Sequence, residues 1–279
     1  MTGFLTQIGW TAQQHEDLTE GQIYRKVFQN HIVDVLVPKE ISPLTPVLVM
    51  HDGKNLFWET ESSYGTSWGV IPALTTLKVQ PVVIGVWGLV NEEFPGIRMF
   101  ELAPQQVLEE NPSFWGKLLE FAQTEMHALL GDEYHQMIAE EIIPEVTQQL
   151  GIQQDPARTA LAGSSMGGIT SLYGVSRYPQ IYGTVLSLST HLAFWDPAII
   201  TALLSRIPTD PRPRIWLDRG DQELDAQYEG LHEAAAEYLT ERGWQPGVEF
   251  HAEVFYGTNH SEGAWRIRLP QILQWWLES

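Results

Sequence analysis

The sequence contains no cysteine among its 279 residues. Disulfide bonds and thiolate metal sites are therefore excluded, and an absence of cysteine fits a cytoplasmic location. No apolar run approaches the 18 or more residues that are typical of a membrane helix. The first ten residues also lack the basic start and apolar stretch of a secretory signal. We therefore expect a cytoplasmic protein that does not bind membranes.

Basic residues are scarce, with 16 lysines and arginines against 35 aspartates and glutamates, so the formal net charge is −19. This balance argues against nucleic-acid backbones and anionic membrane surfaces as partners, because both would be repelled. It also disfavours strongly anionic substrates. A small neutral molecule is the expected partner, and the sequence leaves open a homo-oligomer.

Apolar runs alternate with segments of helical spacing along the whole chain, which favours a mostly parallel sheet flanked by helices. We predict a single α/β domain over residues 1–279, since neither a linker nor a repeat interrupts the pattern. Its eight strands are predicted at 22–29, 31–37, 46–50, 81–87, 159–162, 183–188, 214–217 and 248–255. Helices are predicted at 68–77, 199–207 and 264–277, among others.

Residues 104–150 depart from this alternation. Apolar residues from Trp115 to Leu130 repeat at helical spacing, Gly131 and Asp132 interrupt them, and a second helix resumes near Tyr134. Pro144 indicates a kink or a new helix start. Two interpretations of residues 104–135 stay open: a lid over an active site, or a surface extension of an ordinary crossover helix.

The motif G-x-S-x-G occurs at residues 163–167, with Ser165 in the middle, and a further glycine follows at Gly168. A predicted buried strand precedes it, and helical spacing follows it. This arrangement is typical of a nucleophile elbow, a strained strand-to-helix turn that presents a serine hydroxyl above the end of a sheet. Ser165 is therefore the candidate nucleophile.

A serine nucleophile needs a general base within hydrogen-bonding reach. Downstream of Ser165, His232 lies on a predicted helix and His251 lies inside a predicted strand. His260 instead follows the last predicted strand, in a Gly-Thr-Asn-His loop. An α/β sheet with a nucleophile elbow places its base in the loop after that strand. We therefore predict that His260 is the base.

The acid that orients the base is expected in the loop after the seventh predicted strand. Four acidic residues occur there, and position alone does not choose among them: Asp218, Asp221, Glu223 and Asp225. The developing oxyanion needs two backbone donors. We predict the N–H of Met166, directly after the nucleophile, and the N–H of Lys54, in the Gly53 turn after the third strand.

Taken together, the motifs resemble the putative-esterase branch of the α/β-hydrolases, which includes enterochelin-type siderophore esterases and S-formylglutathione hydrolase. The resemblance is greatest to bacterial enterochelin-esterase-like members. It covers most of the chain from about residue 46. The matching segments are His-Asp-Gly-Lys-Asn-Leu-Phe at 51–57, Gly-Ser-Ser-Met-Gly-Gly at 163–168, Leu-Ser-Thr-His at 188–191, Leu-Asp-Arg-Gly at 217–220, Leu-Asp-Ala-Gln-Tyr at 224–228 and Asn-His-Ser-Glu at 259–262.

The resemblance implies an α/β-hydrolase fold and a serine esterase that needs no metal or cofactor. Ser165 would be the nucleophile and His260 the base. The Leu-Asp pair of the acidic loop makes Asp225 the acid, although other branches place it where Glu223 stands here. His191, at the end of the sixth strand, would line the substrate pocket unless it is a structural histidine.

Short-chain neutral carboxylic esters are the expected substrates, because an acidic protein suits anionic ferric siderophores poorly. A thioesterase of the S-formylglutathione hydrolase kind, an acyltransferase, and a siderophore esterase are alternatives that use the same triad. A non-catalytic binding module of this fold is the remaining alternative.

Overall fold

The computed structural model describes residues 5–89, 96–112, 114, 116, 128–192 and 196–278. Its strands are β1 (Thr11–Gln13), β2 (Gln22–Phe28), β3 (His31–Val37), β4 (Val47–His51), β5 (Val82–Val86), β6 (Thr159–Ser164), β7 (Thr184–Leu188), β8 (Arg214–Gly220) and β9 (Phe250–Phe255). Its helices are α1 (Val70–Thr75), α2 (Ile97–Glu101), α3 (Gln105–Glu109), α4 (Gly131–Gln136), α5 (Ile143–Leu150), α6 (Met166–Arg177), α7 (Pro197–Ser205), α8 (Glu223–Ala226), α9 (Glu229–Glu241) and α10 (Glu262–Leu277). None of the helices in these described ranges combines the length and the apolar character that a membrane crossing needs.

The strands form one sheet in the order β1-β2-β3-β5-β4-β6-β7-β8-β9. The first three pairs in this order are antiparallel, and the five pairs from β5 to β9 are parallel. The predicted mostly parallel α/β sheet is confirmed. Parallel strands end at the same edge of a sheet, so the loops that follow β4, β6 and β8 lie close together.

The described sheet has nine strands, so the prediction of eight was wrong by one. The additional strand is β1, whose three residues are largely exposed and carry no apolar alternation that a sequence pattern could reveal. β8 is also longer than predicted. Asp218, Arg219 and Gly220, expected in a loop, pair with β9, where Asp218 lies opposite Glu253.

The core lies on both faces of the sheet, because successive strand side chains point to opposite sides. Along β4, Val47 and Val49 face one layer, whereas Leu48 and Met50 face the other. The first layer is covered by helices that include α5, α6 and α7, and the second by α1 and α10. Burial on both faces explains why these strands read as continuous apolar runs.

The helical region before β6 differs from its prediction. α4 begins at Gly131 and is not interrupted there, since a Cβ at Gly131 would lie 2.4 Å from the Ala103 carbonyl oxygen, so close packing explains the glycine. A π-helix, Met137–Ile142, links α4 to α5, and Pro144 lies in the first turn of α5. The helix predicted between Trp115 and Leu130 falls mostly on residues 115 and 117–127, outside the described residues. Part of the 104–135 segment considered as a lid lies there too, so neither interpretation of that segment is decided.

Candidate active site

Ser165 lies at the tight junction between β6 and α6. Its backbone angles, φ 56° and ψ −121°, are strained for a residue with a side chain. A Cβ at Gly163 would lie 2.5 Å from the Gly167 carbonyl oxygen, and one at Gly168 would lie 2.5 Å from Ser187 Oγ. Only glycine fits at both positions, so the junction has the geometry that the G-x-S-x-G motif predicts.

His260 lies in the loop between β9 and α10, and its ring is held on several sides. Its Nδ1 is 2.6 Å from Asp225 Oδ1. The Trp265 ring meets it edge-on at a centroid distance of 5.1 Å, and the Tyr228 ring does so at 5.8 Å. Because a carboxylate only accepts hydrogen bonds, the proton of neutral His260 sits on Nδ1 and leaves Nε2 free to accept one.

Asp225 is fully buried in α8 and accepts three hydrogen bonds. Besides His260, the donors are Ser189 Oγ and the backbone N–H of Gly220, each at 2.6 Å. Burial alone would raise the pKa of this carboxyl, but the hydrogen bonds from His260, Ser189 and Gly220 outweigh it and lower the pKa. Asp225 is therefore ionised at neutral pH.

The other three acidic candidates contact different partners. Glu223 is exposed and accepts a hydrogen bond from Asn259 at 3.2 Å. Asp221 accepts from a backbone N–H in the loop before His260. Asp218 is buried and pairs with Arg268 at 2.6 Å. Within the described part of the chain, Asp225 is thus the acidic residue of this group that hydrogen-bonds to His260.

Ser165 and His260 line one cavity of about 610 Å³. Trp265 lines it as well. In the described part of the chain the Ser165 hydroxyl makes no hydrogen bond to the His260 imidazole. Such contacts are often long in enzymes without substrate and shorten when substrate binds.

The two predicted oxyanion donors belong to turns at the same edge of the sheet. Met166 opens α6, so its N–H is among the first-turn amides that lack an acceptor within the helix. Lys54 lies in the 3-10 turn that follows β4 and lines the cavity. A Cβ at Gly53 would lie 2.6 Å from the Gly85 backbone, which explains why glycine opens this turn.

An ion pair between Asp52 and Arg98 forms part of the cavity wall. Arg98 donates from Nε and Nη2 to the two carboxylate oxygens of Asp52, each at 2.5 Å. Sequence reasoning missed Arg98. The partners lie 46 residues apart in the chain, and no local pattern around Arg98 signals the pairing.

His191 lies beside His260, at a ring-centroid distance of 6.3 Å. Its Nδ1 is 2.6 Å from the Tyr228 hydroxyl. Burial, together with the nearby His260 and Arg98, lowers the pKa of His191 to about 4, so it is neutral at pH 7. It is not among the described residues that line the 610 Å³ cavity, and its substrate-binding role stays a prediction.

The sheet order and the serine at the β6–α6 junction define an α/β-hydrolase fold. Solved structures share it. An enterochelin esterase from Shigella flexneri superposes with a TM-score of 0.62 at 18% identity, covering 96% of this chain and 58% of that chain. A siderophore hydrolase, EstA from Aspergillus nidulans, superposes with a TM-score of 0.65 at 15% identity, covering 96% and 98%.

Residues 120–276 match the model of the Esterase family, described as Putative esterase. The match covers more than half of the chain, which therefore belongs to this family. A curated relative is the Iron(III) enterobactin esterase of Dickeya dadantii (strain 3937), 27% identical over 159 residues, or 50% of this chain and 34% of the relative. The chain thus spans about a third of that relative's length. The resemblance derived from the motifs is confirmed.

Proposed function

We propose that this chain hydrolyses carboxylic esters through an acyl-serine intermediate. Ser165 is the nucleophile, His260 the general base and Asp225 the acid that orients it. The observation that carries the proposal is the His260–Asp225 hydrogen bond of 2.6 Å, on an imidazole that lines the same cavity as Ser165. Membership of the esterase family supports the reaction class.

In the first half of the reaction, Ser165 Oγ attacks the ester carbonyl carbon while His260 Nε2 accepts the hydroxyl proton. The imidazolium that forms is stabilised by the ionised Asp225. The negative charge on the former carbonyl oxygen is stabilised by the N–H groups of Met166 and Lys54. The C–O bond then breaks, and His260 returns the proton to the departing alcohol.

In the second half, a water molecule replaces the alcohol. His260 removes a proton from the water as its oxygen attacks the acyl carbon, and the same two N–H groups receive the new oxyanion. When the acyl–Ser165 bond breaks, His260 returns that proton to Ser165 Oγ. The carboxylic acid leaves, and the site is restored.

Short-chain neutral esters are the substrates that we propose first. A cavity of about 610 Å³ accommodates a small ester. The large negative net charge of the chain disfavours strongly anionic substrates.

A test of the proposal is hydrolysis of p-nitrophenyl acetate and butyrate by the purified chain. Ser165→Ala should lower kcat by about 10⁴-fold or more. A fluorophosphonate probe should label the wild type at Ser165. Ser176→Ala is the control, since Ser176 bonds to the Tyr173 carbonyl on the same helix. Undiminished hydrolysis by Ser165→Ala would contradict the proposal.

Siderophore ester hydrolysis is a second candidate, favoured by the enterobactin esterase among the relatives. Incubating the chain with enterobactin and following linear products by mass spectrometry tests it. S-formylglutathione in a parallel assay tests the thioesterase alternative. Faster turnover of either compound than of p-nitrophenyl butyrate would replace the first substrate class without changing the proposed residues.

A further inference from the structure

Glu262 is a buried carboxylate that borders the cavity next to the proposed reacting groups. It is 7% exposed and lies two residues after His260, in the first turn of α10. The residue lines the same cavity as Ser165 and His260. Its electrostatic neighbours are Asp52, His260 and Arg98, which border that cavity too, so the carboxylate faces its interior.

The carboxylate has no side-chain partner in the described part of the chain. Its ionised form is favoured by its own backbone N–H, at the start of α10, and more weakly by the nearby His260 and Arg98. Arg98 is engaged by both oxygens of Asp52, and Lys54, although it lines the cavity, forms no ion pair with Glu262 among the described residues. Burial raises the pKa of Glu262, as expected for a carboxyl that few donors compensate.

Buried carboxylates are almost always hydrogen-bonded or paired, because an uncompensated charge in a protein interior is costly. A ligand that enters this cavity with an N–H or O–H group can supply the missing donor. Hydrogen bonds to charged acceptors are stronger than those between neutral groups. This additional hydrogen bond to Glu262 would favour substrates that carry an N–H or O–H group over isosteric substrates that lack one.

We propose that Glu262 is a specificity-determining residue that binds a hydroxyl or ammonium group of the ester substrate. The substrates would be esters of hydroxy or amino acids, or esters of alcohols that bear a second hydroxyl. This inference rests on the proposed esterase function and names the substrate class of the same cavity. Lys54 and Arg98 line the same cavity and would repel a substrate that carries two cationic groups. We therefore expect the substrate to carry a single donor group close to the ester.

A purely structural role for Glu262 predicts a different behaviour. An acidic residue in the first turn stabilises a helix through the helix dipole. If this were the only role of Glu262, replacing the residue would lower thermal stability and would change kcat/KM equally for all substrates. Selectivity between isosteric esters is therefore the informative measurement, and the melting temperature is the accompanying one.

The experiment measures kcat/KM of wild type, Glu262→Gln and Glu262→Ala on two sets of esters. The acyl set contains the p-nitrophenyl esters of propionic, hydroxyacetic and aminoacetic acid, which have equal numbers of heavy atoms. The alcohol set contains propyl butyrate and 2-hydroxyethyl butyrate. For each ester, the ratio of the wild-type kcat/KM to the variant kcat/KM cancels the intrinsic reactivity of that ester. Glu237→Gln, an exposed residue of α9, is the control for the change in charge.

We expect Glu262→Ala to lower kcat/KM for donor-bearing esters by about tenfold to a hundredfold, and for the propionate ester by less than about threefold. Glu262→Gln should retain most activity on hydroxyl esters, because its amide oxygen accepts, but lose the ammonium preference. A selective loss confined to one set supports the inference and shows on which side of the ester the donor binds. Equal changes for all esters, or none, would overturn the inference alone. Absence of hydrolysis by wild type, with no labelling of Ser165, would overturn the proposed function and this inference together.

Discussion

The parallel and antiparallel parts of the sheet use buried charge differently. In the parallel part, the Asp225 carboxylate holds His260, which reaches the cavity. In the antiparallel part, the Arg25 guanidinium lies between Asp34 and Glu61 and over the Trp87 ring, so its charges satisfy one another. In the first network, His260 can accept a proton from a substrate or nucleophile in the cavity. In the second network, the charged groups hydrogen-bond to one another.

This difference follows from topology. Parallel strands return their carboxyl ends to one edge, where loops distant in sequence meet and leave a concave space. Antiparallel neighbours such as β2 and β3 are joined by a tight turn, so their paired side chains lie on a continuous surface. We therefore expect substitutions in the first network to change catalysis, and substitutions in the second to change stability.

Among the substitutions that compare these two networks, the largest effect on catalysis is expected for Asp225→Asn. The amide cannot hold the His260 tautomer that accepts the Ser165 proton, and kcat should fall by roughly 10²–10⁴-fold. Glu223→Gln is the matched control in the same short helix and should retain kcat within about threefold. Initial rates on p-nitrophenyl butyrate compare the two. If Glu223→Gln showed the larger loss, the acid would have to be Glu223.

Asp218→Asn should separate stability from catalysis within the parallel part. Asp218 and Arg268 are both almost fully buried, so removing the Asp218 charge takes away the nearer carboxylate of Arg268 and leaves Asp225, at 3.6 Å, as the other. Breaking such a pair typically costs about 3–5 kcal/mol. Urea unfolding measures this loss, with the less buried Asp221→Asn as the control. An unchanged unfolding midpoint would show that the pair contributes no net stability.

The pH dependence of stability tests a buried histidine outside the proposed triad. Burial lowers the pKa of His135 to about 4, whereas an unfolded histidine titrates near 6.5. The unfolded chain therefore binds more protons between these values, and stability falls as the pH drops from 6.5 towards 4, by up to roughly 3 kcal/mol for this residue. Below about pH 4 this contribution does not change further.

The measurement is the difference in urea stability between pH 7 and pH 4.5 for wild type and His135→Gln. Comparing the two chains removes the opposite contribution of Asp34, Asp218 and Glu262, whose pKa values are raised by burial. The variant should lose less stability than wild type over this interval. Equal losses in the two chains would show that protonation of His135 does not lower the free energy of unfolding.

The smallest effect on kcat is expected for Arg25→Met, in the antiparallel part. The substitution leaves the fully buried Asp34 with Trp87 as its donor and should lower the free energy of unfolding by about 1–3 kcal/mol. We expect kcat within about twofold of wild type. KM should rise modestly, because Glu61 lies in the same loop as Tyr64, which lines the cavity. A tenfold loss of kcat would show that the two networks are coupled.

The sequence motifs anticipated much of the fold, because strands buried on both faces produce long apolar runs and glycines mark close backbone approaches. The elbow at Ser165 is an example, since Gly163 of the motif and the following Gly168 both lie where a Cβ would clash. Three-residue β1 was missed because short exposed strands leave no apolar signal. Local patterns gave no indication of the Asp52–Arg98 pair, nor that no described side chain hydrogen-bonds to the Glu262 carboxylate, since both depend on contacts between distant segments.

By itself, the sequence determined the alternation of strands and helices, the strained turn at Ser165 and the position of His260 after the last strand. These features depend on neighbouring residues, whose periodicity and backbone freedom are encoded locally. Position along the chain left four nearby acidic residues open, and the resemblance only favoured Asp225. Tertiary structure decided which of them meets His260, because α8 turns Asp225 inward and leaves Glu223 exposed. Partner choice of this kind depends on burial and on hydrogen-bond donors brought together from distant segments.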